Sequence, residues 1–249
     1  MLFALFFLGL VQGLTEFLPI SSSGHLTLFS HIFGIEESLE VSIFLHVATL
    51  LSIIVVLRKE IFQLLRHPFS EQTTNLAIST ILTCLVVLVL FPTIKTAFTG
   101  KWLSISFLIS AILLFICDRF SKTKGDLKTK TAIVMGIAQG FAIFPGISRS
   151  GTTISAGMLS GAEKTQVTKF SFLMSIPIIL ASLVMEIVQL CSFSMTTTIP
   201  LVPMIISFLT AFIVGVFAIK VMLKLTAKTN LKWFSIYLIF ISIIAFIIL

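Results

Sequence analysis

A polar segment near the start of the chain, QGLTEFLPISSSGHL at 12–26, holds groups that can do chemistry. It combines the carboxylate of Glu16, the imidazole of His25 and a run of three serine hydroxyls. A hydroxyl with a carboxylate and an imidazole nearby supplies the nucleophile, the base and the acid that group-transfer reactions need.

A second segment, FPGISRSGTT at 144–153, is a counterpart of the first. When the chain is shifted by 127 residues, eight of the sixteen positions 9–24 are identical. The identical pairs are Gly9/Gly136, Gln12/Gln139, Gly13/Gly140, Phe17/Phe144, Ile20/Ile147, Ser21/Ser148, Ser23/Ser150 and Gly24/Gly151. Chance similarity between apolar segments rarely preserves Gln, Ser and Gly together, so the chain contains an internal repeat.

The positions that differ between the copies complement each other. Ser22 corresponds to Arg149, and Glu16 corresponds to the apolar Ile143. A guanidinium binds phosphate in a two-point fork, and hydrolysis of a phosphoanhydride needs positive charge near the phosphoryl group. We therefore predict that Arg149 binds phosphate and that Ser22 attacks it or positions a water that does. Glu16 and His25 are the predicted base and acid.

Hydroxyl, amide and glycine residues around these four are predicted to complete a phosphate site. A short helix that begins near Thr152 or Thr153 would add its free N–H groups. The predicted substrate-binding residues are Ser21, Ser23, Ser148, Ser150, Gly151, Thr153, Gln12 and Gln139. Structural alternatives remain open, namely a helix-packing surface for the serines, an Arg149–Glu16 ion pair, and glutamines that brace the hairpins.

The composition indicates a membrane protein. The chain has 249 residues, of which 57% are hydrophobic and 11% charged, and its mean hydropathy is +1.14. A soluble domain carries about 25% charged residues. The net charge of +7 arises from short basic clusters between apolar stretches, which favours membrane lipids rather than nucleic acid as the partner.

Six stretches are long and apolar enough to cross a hydrocarbon core of about 30 Å. They are 41–57, 76–91, 102–117, 170–190, 201–223 and 233–249. Two further apolar regions, 2–33 and 131–160, are interrupted by Gly, Pro and Ser. Irregular backbone at membrane depth is tolerated only inside the protein or around a watery cavity, so these regions predict re-entrant helix hairpins. The predicted fold is all-α and polytopic, with about ten helices, six of them spanning.

The charged residues predict the orientation of the chain. Three basic clusters are expected inside, at 58–66, 119–130 and 220–232. The loop that carries Lys95 and Lys101 then falls outside, as do both termini.

Three spans follow each hairpin, and an odd number of crossings inverts the second half relative to the first. We therefore predict inverted repeats at 1–127 and 128–249 within one membrane domain. Repeats of this kind bring their broken helices together near the bilayer midplane, where the ligand site forms.

The two polar segments resemble the motifs of the undecaprenyl-diphosphatase family, also known as the bacitracin-resistance phosphatases. The family pattern E-G-x-T-E-F-L-P-[IV]-S-S-[ST]-G-H is similar to 12–25, and P-G-x-S-R-S-G-x-T is similar to 145–153. Residues 45–49 resemble the family's L-H-x-G-T, and 170–177 resemble the segment after the second motif. The resemblance extends in order over nearly the whole chain.

The resemblance implies a bacterial inner-membrane enzyme that converts undecaprenyl diphosphate to the monophosphate and so recycles the lipid carrier of cell-wall synthesis. Its active site would open to the outer side. The polyprenyl diphosphate and membrane lipids would be its partners, and a homodimer is left open. Carried over by motif, the essential residues are Glu16, Ser22, His25, Ser148, Arg149 and Thr153.

One position departs from the family pattern. The first motif usually begins with Glu, whereas this chain has Gln12. Glutamine keeps an acceptor oxygen but loses the charge, so a metal site built on two carboxylates would lack one of them. A divalent metal, Mg²⁺ or Ca²⁺, would then be held by Glu16 together with the substrate diphosphate, as Mg²⁺ often is.

Two other functions are possible alternatives to hydrolysis of a polyprenyl diphosphate. The type-2 phosphatidic-acid phosphatases have a similar S-R motif, but they require a His and an Asp where this chain has Ser155 and Leu159. A transporter or flippase of a polyprenyl phosphate is the other, because inverted repeats with broken helices are typical of transporters. Ser22 beside Glu16 and His25 favours hydrolysis, since phosphate capture alone needs no nearby carboxylate.

Overall fold

The described part of the chain folds into eleven α-helices in the computed structural model. It covers residues 2–34, 38–97, 102–121, 125–192, 200–228 and 230–249, without the side chains of 93–97 and 227–228. The helices are α1 (Leu2–Thr15), α2 (Ser22–Phe33), α3 (Leu39–Val56), α4 (Arg58–Arg66), α5 (Glu71–Ala97), α6 (Leu103–Phe120), α7 (Thr129–Phe141), α8 (Arg149–Leu159), α9 (Lys164–Ser192), α10 (Leu201–Lys228) and α11 (Lys232–Ile248). Part of the charge pattern used for orientation lies outside the described residues, namely Lys101, Lys122, Lys124 and the side chains of Lys95 and Lys228.

Five helices are long and apolar enough to cross a membrane, namely α3, α5, α6, α9 and α10. Large apolar side chains such as Val89, Phe217 and Phe246 point outward from the helices, as they do in lipid. The predicted all-α polytopic fold is thereby confirmed. The sixth predicted span, 233–249, forms α11, whose 17 residues extend about 26 Å at about 1.5 Å per residue. This falls short of a core of about 30 Å, so a sixth crossing stays a prediction.

The described residues form one helix, α4, in addition to the hairpin and span helices that the sequence predicts. The basic cluster in RKEIFQLLR belongs to this nine-residue helix, which has no buried residue. Phe62 and Leu65 are exposed on it among charged neighbours. A short helix with an apolar face and a basic one is typical of the membrane interface. The basic cluster 58–66, expected between two membrane spans, is therefore consistent with an interfacial helix.

Each predicted hairpin consists of two short helices separated by a break. The first pair is α1 and α2, with the break at 16–21, and the second is α7 and α8, with the break at 142–148. Pro19 and Pro145 lie within the two breaks. Proline lacks the N–H that a helix interior needs, so each helix ends before its proline.

Glycines let the first helix of each hairpin pack closely on a long helix from the other half of the chain. Helix α1 lies on α10, and α7 lies on α5. A Cβ atom at Gly9 would lie 2.4 Å from the carbonyl oxygen of Ser207, and one at Gly136 would lie 2.6 Å from that of Ser79. The G-x-x-x-G spacing shared by the two copies therefore serves helix packing.

Gly136→Ala is expected to destabilise the protein, because the added methyl group meets backbone that cannot rotate away. Overpacking of this kind costs about 1–3 kcal/mol. Thermal unfolding in detergent should show a lower midpoint for this variant than for Ile137→Ala, a substitution at the neighbouring exposed position. Equal midpoints for the two variants would show that α7 does not rest on α5 through Gly136.

Candidate active site

The two helix breaks face each other across a cavity of about 190 Å³. Helix α3 contributes His46 to its wall, and α9 contributes Ile178, Ile179 and Ser182. At about 30 Å³ per water molecule, the cavity holds a small polar group rather than a lipid chain. A larger cavity of about 640 Å³ lies near α4 and the starts of α5 and α9, and none of the predicted site residues lines it.

Serine caps start the two helices that point away from the cavity. The Oγ of Ser21 accepts a hydrogen bond from the backbone N–H of Gly24 at 3.3 Å, and the Oγ of Ser148 accepts one from Gly151 at 3.0 Å. Such caps satisfy N–H groups that would otherwise lack partners at a helix start. The S-x-x-G pattern repeated at an offset of 127 residues is therefore a pair of equivalent N-caps.

Because the caps are equivalent, Ser22 and Arg149 are the first residues of α2 and α8. Helix α8 thus begins three or four residues before Thr152 and Thr153, the positions that the sequence analysis considers for a helix start. The Oγ1 of Thr153 lies 2.6 Å from the hydroxyl of Ser171 on α9, within the protein interior. The nucleophile candidate and the arginine thus occupy matched positions on opposite sides of the cavity.

Glu16 connects the two hairpins. Its Oε2 accepts hydrogen bonds from Ser22 Oγ at 2.5 Å and from Gln12 Nε2 at 3.2 Å. Its Oε1 forms an ion pair with Nη2 of Arg149. Only 7% of the Glu16 side chain is exposed. Because this buried carboxylate already accepts a hydrogen bond from Ser22, it is placed where a general base would take the serine proton.

Arg149 retains the capacity to bind an anion while it is paired with Glu16. Its Nη1 is buried and has no hydrogen-bond partner among the described residues. An unpaired buried donor costs free energy, so a ligand oxygen that reached Nη1 would be stabilised. Arg149 lines the same cavity as Ser22, so the cavity wall combines a cation that could bind an anion with the hydroxyl predicted to be the nucleophile.

Four of the predicted binding serines line the cavity, and their hydroxyls also hold the two breaks in place. Ser150 Oγ donates to the carbonyl oxygen of Leu18 at 2.9 Å, which ties the second hairpin to the first. The backbone N–H of Ser148 donates to Ser110 Oγ of α6 at 2.9 Å. The other two serines are Ser21 and Ser23.

The remaining predicted residues lie outside the cavity wall; they are Gln12, Gln139, Gly151, Thr153 and His25. Gln12 still touches Glu16, whereas Gln139 Nε2 donates to Thr83 Oγ1 of α5 at 3.1 Å. Gln139 therefore braces its hairpin, which was one of the alternatives left open.

His25 lies behind the first break with both ring nitrogens in use. Its Nδ1 donates to the carbonyl oxygen of Ser21 at 2.7 Å, so its Nε2 is the acceptor for the Tyr237 hydroxyl at 2.8 Å. The tyrosine ring stacks on the imidazole with centroids 5.6 Å apart. Ser21 has a φ of 70°, which is strained for a residue other than glycine. This geometry makes His25 a support for that strained turn, and its role as acid or base stays a prediction.

Comparison with known proteins agrees with the two motifs. Residues 5–244 match the family model described as "Bacitracin resistance protein BacA". The chain belongs to the BacA family. The predicted resemblance is thereby confirmed over nearly the whole chain.

Relatives of this BacA family member carry a common name, undecaprenyl-diphosphatase. The one from Thermosipho africanus is 41% identical over 250 residues, which covers 96% of this chain and 97% of the relative. The one from Carboxydothermus hydrogenoformans is 39% identical over 236 residues, covering 92% and 90%. The one from Bacteroides thetaiotaomicron is 39% identical over 243 residues, covering 92% of each.

A polar group on the third wall of the cavity was missing from the predicted site residues. His46 of α3 lines the cavity, and its Nδ1 lies 3.1 Å from Oε1 of Glu186 on α9. Ser42, one turn before His46, donates to the same oxygen at 2.9 Å. Two features of the sequence could have indicated this polar pair. One is a histidine in the segment that resembles a BacA motif, and the other is a lone glutamate within the apolar stretch of α9.

The donor atoms around Glu16 fit a divalent metal only in part. Among the described residues, no three His, Cys, Asp or Glu side chains lie close enough together to hold a metal ion. The side chain of Gln12 donates a hydrogen bond from Nε2 to Glu16, and its Oε1 is buried with no hydrogen-bond partner among the described residues. The chain therefore offers one carboxylate and one amide oxygen, and a metal there would take its other ligands from the substrate.

Proposed function

We propose that this chain is an integral membrane phosphatase that hydrolyses undecaprenyl diphosphate to undecaprenyl phosphate and inorganic phosphate. The observation that carries the proposal is the contact of Ser22 with Glu16 at 2.5 Å, beside Arg149 with its unpaired buried nitrogen. The name of the relatives supports the same reaction. A protein that only carried a lipid phosphate would need the arginine but not an activated serine.

In the proposed first step, the terminal phosphate takes the place of Glu16 as the partner of Arg149. Glu16 then accepts the proton of Ser22, whose Oγ attacks the terminal phosphorus. The bond to the bridging oxygen breaks and undecaprenyl phosphate leaves, so Ser22 becomes a phosphoserine. The first N–H groups of α2 and α8 both lie beside the cavity, where they stabilise the negative charge of the phosphoryl group.

A water molecule then hydrolyses the phosphoserine and restores Ser22. A divalent ion, Mg²⁺ or Ca²⁺, would be held by Glu16 with the diphosphate and would neutralise phosphate charge. We expect a chelator to weaken diphosphate binding if the ion is needed. An unchanged rate in the chelator would show that Arg149 and the helix N-termini suffice.

The cavity accommodates the diphosphate and leaves the isoprenoid chain in the lipid between helices. We further propose that the halves 1–127 and 128–249 are inverted repeats in a bacterial inner membrane, with the site open to the outer side. The basic residues of α4 and of the end of α10 support this orientation. Association into a homodimer stays a prediction.

The proposed orientation makes Cys191 reactive from outside the cell. Cys191 is exposed near the end of α9, and Cys117 is buried. Cys84 is exposed within α5, a candidate membrane span, where lipid would shield it from a reagent that does not enter the membrane. A membrane-impermeant maleimide should label the protein in intact cells, and Cys191→Ser should abolish that label. Labelling of Cys191 only after the membrane is broken would reverse the orientation.

The function is tested with the purified protein and undecaprenyl diphosphate in detergent. Phosphate release is measured for the unmodified protein and for Ser22→Ala, with Mg²⁺, with Ca²⁺ and with a chelator. Release that depends on Ser22 supports the phosphatase. No release under any condition, with undecaprenyl phosphate still bound, would refute hydrolysis and favour a transporter.

A further inference from the structure

His46 is held in one orientation by residues that reach it from two helices. Its Nδ1 lies 3.1 Å from Oε1 and 3.3 Å from Oε2 of Glu186, and 3.3 Å from the hydroxyl of Ser42. The Ser42 hydroxyl donates a hydrogen bond to Oε1 of Glu186. His46 also lines the cavity that contains Ser22, Glu16 and Arg149.

These contacts determine which ring nitrogen carries the proton. A carboxylate only accepts hydrogen bonds, so the Nδ1 that faces Glu186 must be the donor. The neutral imidazole then has its lone pair on Nε2, for which the described part of the chain provides no hydrogen-bond partner. Pairing of Nδ1 with a carboxylate both orients a histidine and stabilises the imidazolium that forms when Nε2 takes a proton.

The second half of the proposed reaction requires a base other than Glu16. Glu16 has already taken the proton of Ser22 in the first step, and it must return that proton when the serine oxygen leaves phosphorus. His25 has both nitrogens engaged. His46 is the imidazole in the cavity wall with an unused acceptor nitrogen.

We propose that His46, oriented by Glu186 and Ser42, is the general base that activates water to hydrolyse the phosphoserine on Ser22. Nε2 of His46 takes one proton from the water as its oxygen bonds to phosphorus. The bond from phosphorus to Ser22 Oγ breaks, and Glu16 returns its proton to that oxygen. Inorganic phosphate leaves and takes the proton from Nε2 of His46. Glu16 and His46 have then returned to their starting protonation states. This inference rests on the proposed function.

The test separates the two half-reactions. The substrate carries a radioactive terminal phosphate, and the release of undecaprenyl phosphate, the release of inorganic phosphate and the label on protein are followed together. In His46→Gln, steady-state phosphate release should fall by about 10²–10⁴-fold, the usual contribution of a general base. The first turnover should still release undecaprenyl phosphate, and the label should accumulate on Ser22.

Two further variants distinguish a base from a structural residue. His46→Ala should regain part of its phosphate release when imidazole is added, because free imidazole can enter the space and accept the proton. Glu186→Gln should lose less activity than His46→Gln, since it removes the orientation but keeps the base. His31→Gln is the matched control, an exposed histidine at the end of α2, and it should match the unmodified protein.

The outcomes also separate this inference from the proposed function. Failure of the unmodified protein to release phosphate would refute the function itself. Full activity of His46→Gln, with Ser22→Ala inactive, would overturn only the role of His46. Loss of activity in His46→Gln without label on Ser22 and without rescue by imidazole in His46→Ala would also overturn it.

Discussion

Ser22→Ala is expected to reduce kcat for phosphate release by about 10⁴-fold or more, as does the loss of a nucleophile in other hydrolases. The Ser22 hydroxyl donates a hydrogen bond to Glu16, the proposed base. Ser22 also begins α2 and lines the same cavity as Arg149. Substrate binding should remain, because Arg149 and the helix N-termini are unchanged. Phosphate release and equilibrium binding of undecaprenyl diphosphate are measured on the same preparation.

Ser30→Ala is the control for Ser22→Ala. Ser30 lies on the same helix, is buried, and has no hydrogen-bond partner for its hydroxyl among the described residues. Its removal should leave the rate unchanged. If Ser22→Ala kept a rate within tenfold of the unmodified protein, Glu16 would be activating water directly and no phosphoserine would form.

The structural equivalences in the site that the sequence already indicated are those that local physics determines. An N-cap needs only a serine and the N–H group three residues later, so the repeat already marked Ser21 and Ser148 as equivalent. The same repeat made Ser22 and Arg149 equivalent, and the structure places both at the cavity. A hairpin break is likewise largely local, because in each break a proline and the serine N-cap that follows it lie within four positions of each other. Proline alone does not determine a break, since Pro92 and Pro177 lie inside α5 and α9.

The contacts that the sequence did not reveal join residues far apart in the chain. His46 and Glu186 are separated by 140 positions, and His25 and Tyr237 by 212. The two members of each pair lie on different helices that are far apart in the sequence, so no spacing links one to the other. The packing of α3 on α9 brings the first pair together. The position of α11 places the Tyr237 hydroxyl on Nε2 of His25, so that this nitrogen already has a hydrogen-bond partner.

Helix α4 illustrates a different reason for error. Its residues combine the charged and apolar groups that an interfacial helix needs, and its basic residues are also those that indicate orientation. The same residues determine both properties. A basic cluster next to a membrane span can therefore form an interfacial helix rather than a loop.

Arg149→Ala should lower kcat/KM by about 10³–10⁵-fold, the range found for arginines that stabilise a transferring phosphoryl group. Arg149→Lys should recover only part of this loss, because lysine keeps the charge but cannot form the two-point fork. The ion pair adds a structural effect, since Glu16 would be left buried without a counter-ion, which costs about 3–5 kcal/mol. Arg119→Ala, which removes an exposed arginine at the end of α6, is the matched control for the loss of charge.

The double variant Glu16→Gln/Arg149→Ala separates the loss of phosphate binding from the loss of stability. With no buried charge left unpaired, its thermal midpoint should return toward that of the unmodified protein, whereas its binding of undecaprenyl diphosphate should stay weak. Binding is compared rather than turnover, because Glu16→Gln already removes the proposed base, and the single variant Glu16→Gln is measured beside it in the same detergent. A double variant that regained stability and bound the diphosphate as tightly as Glu16→Gln would show that Arg149 serves only as the partner of Glu16. Binding that stays weak at restored stability assigns Arg149 to the phosphate, and then the Glu16–Arg149 ion pair is the contact that the substrate must break.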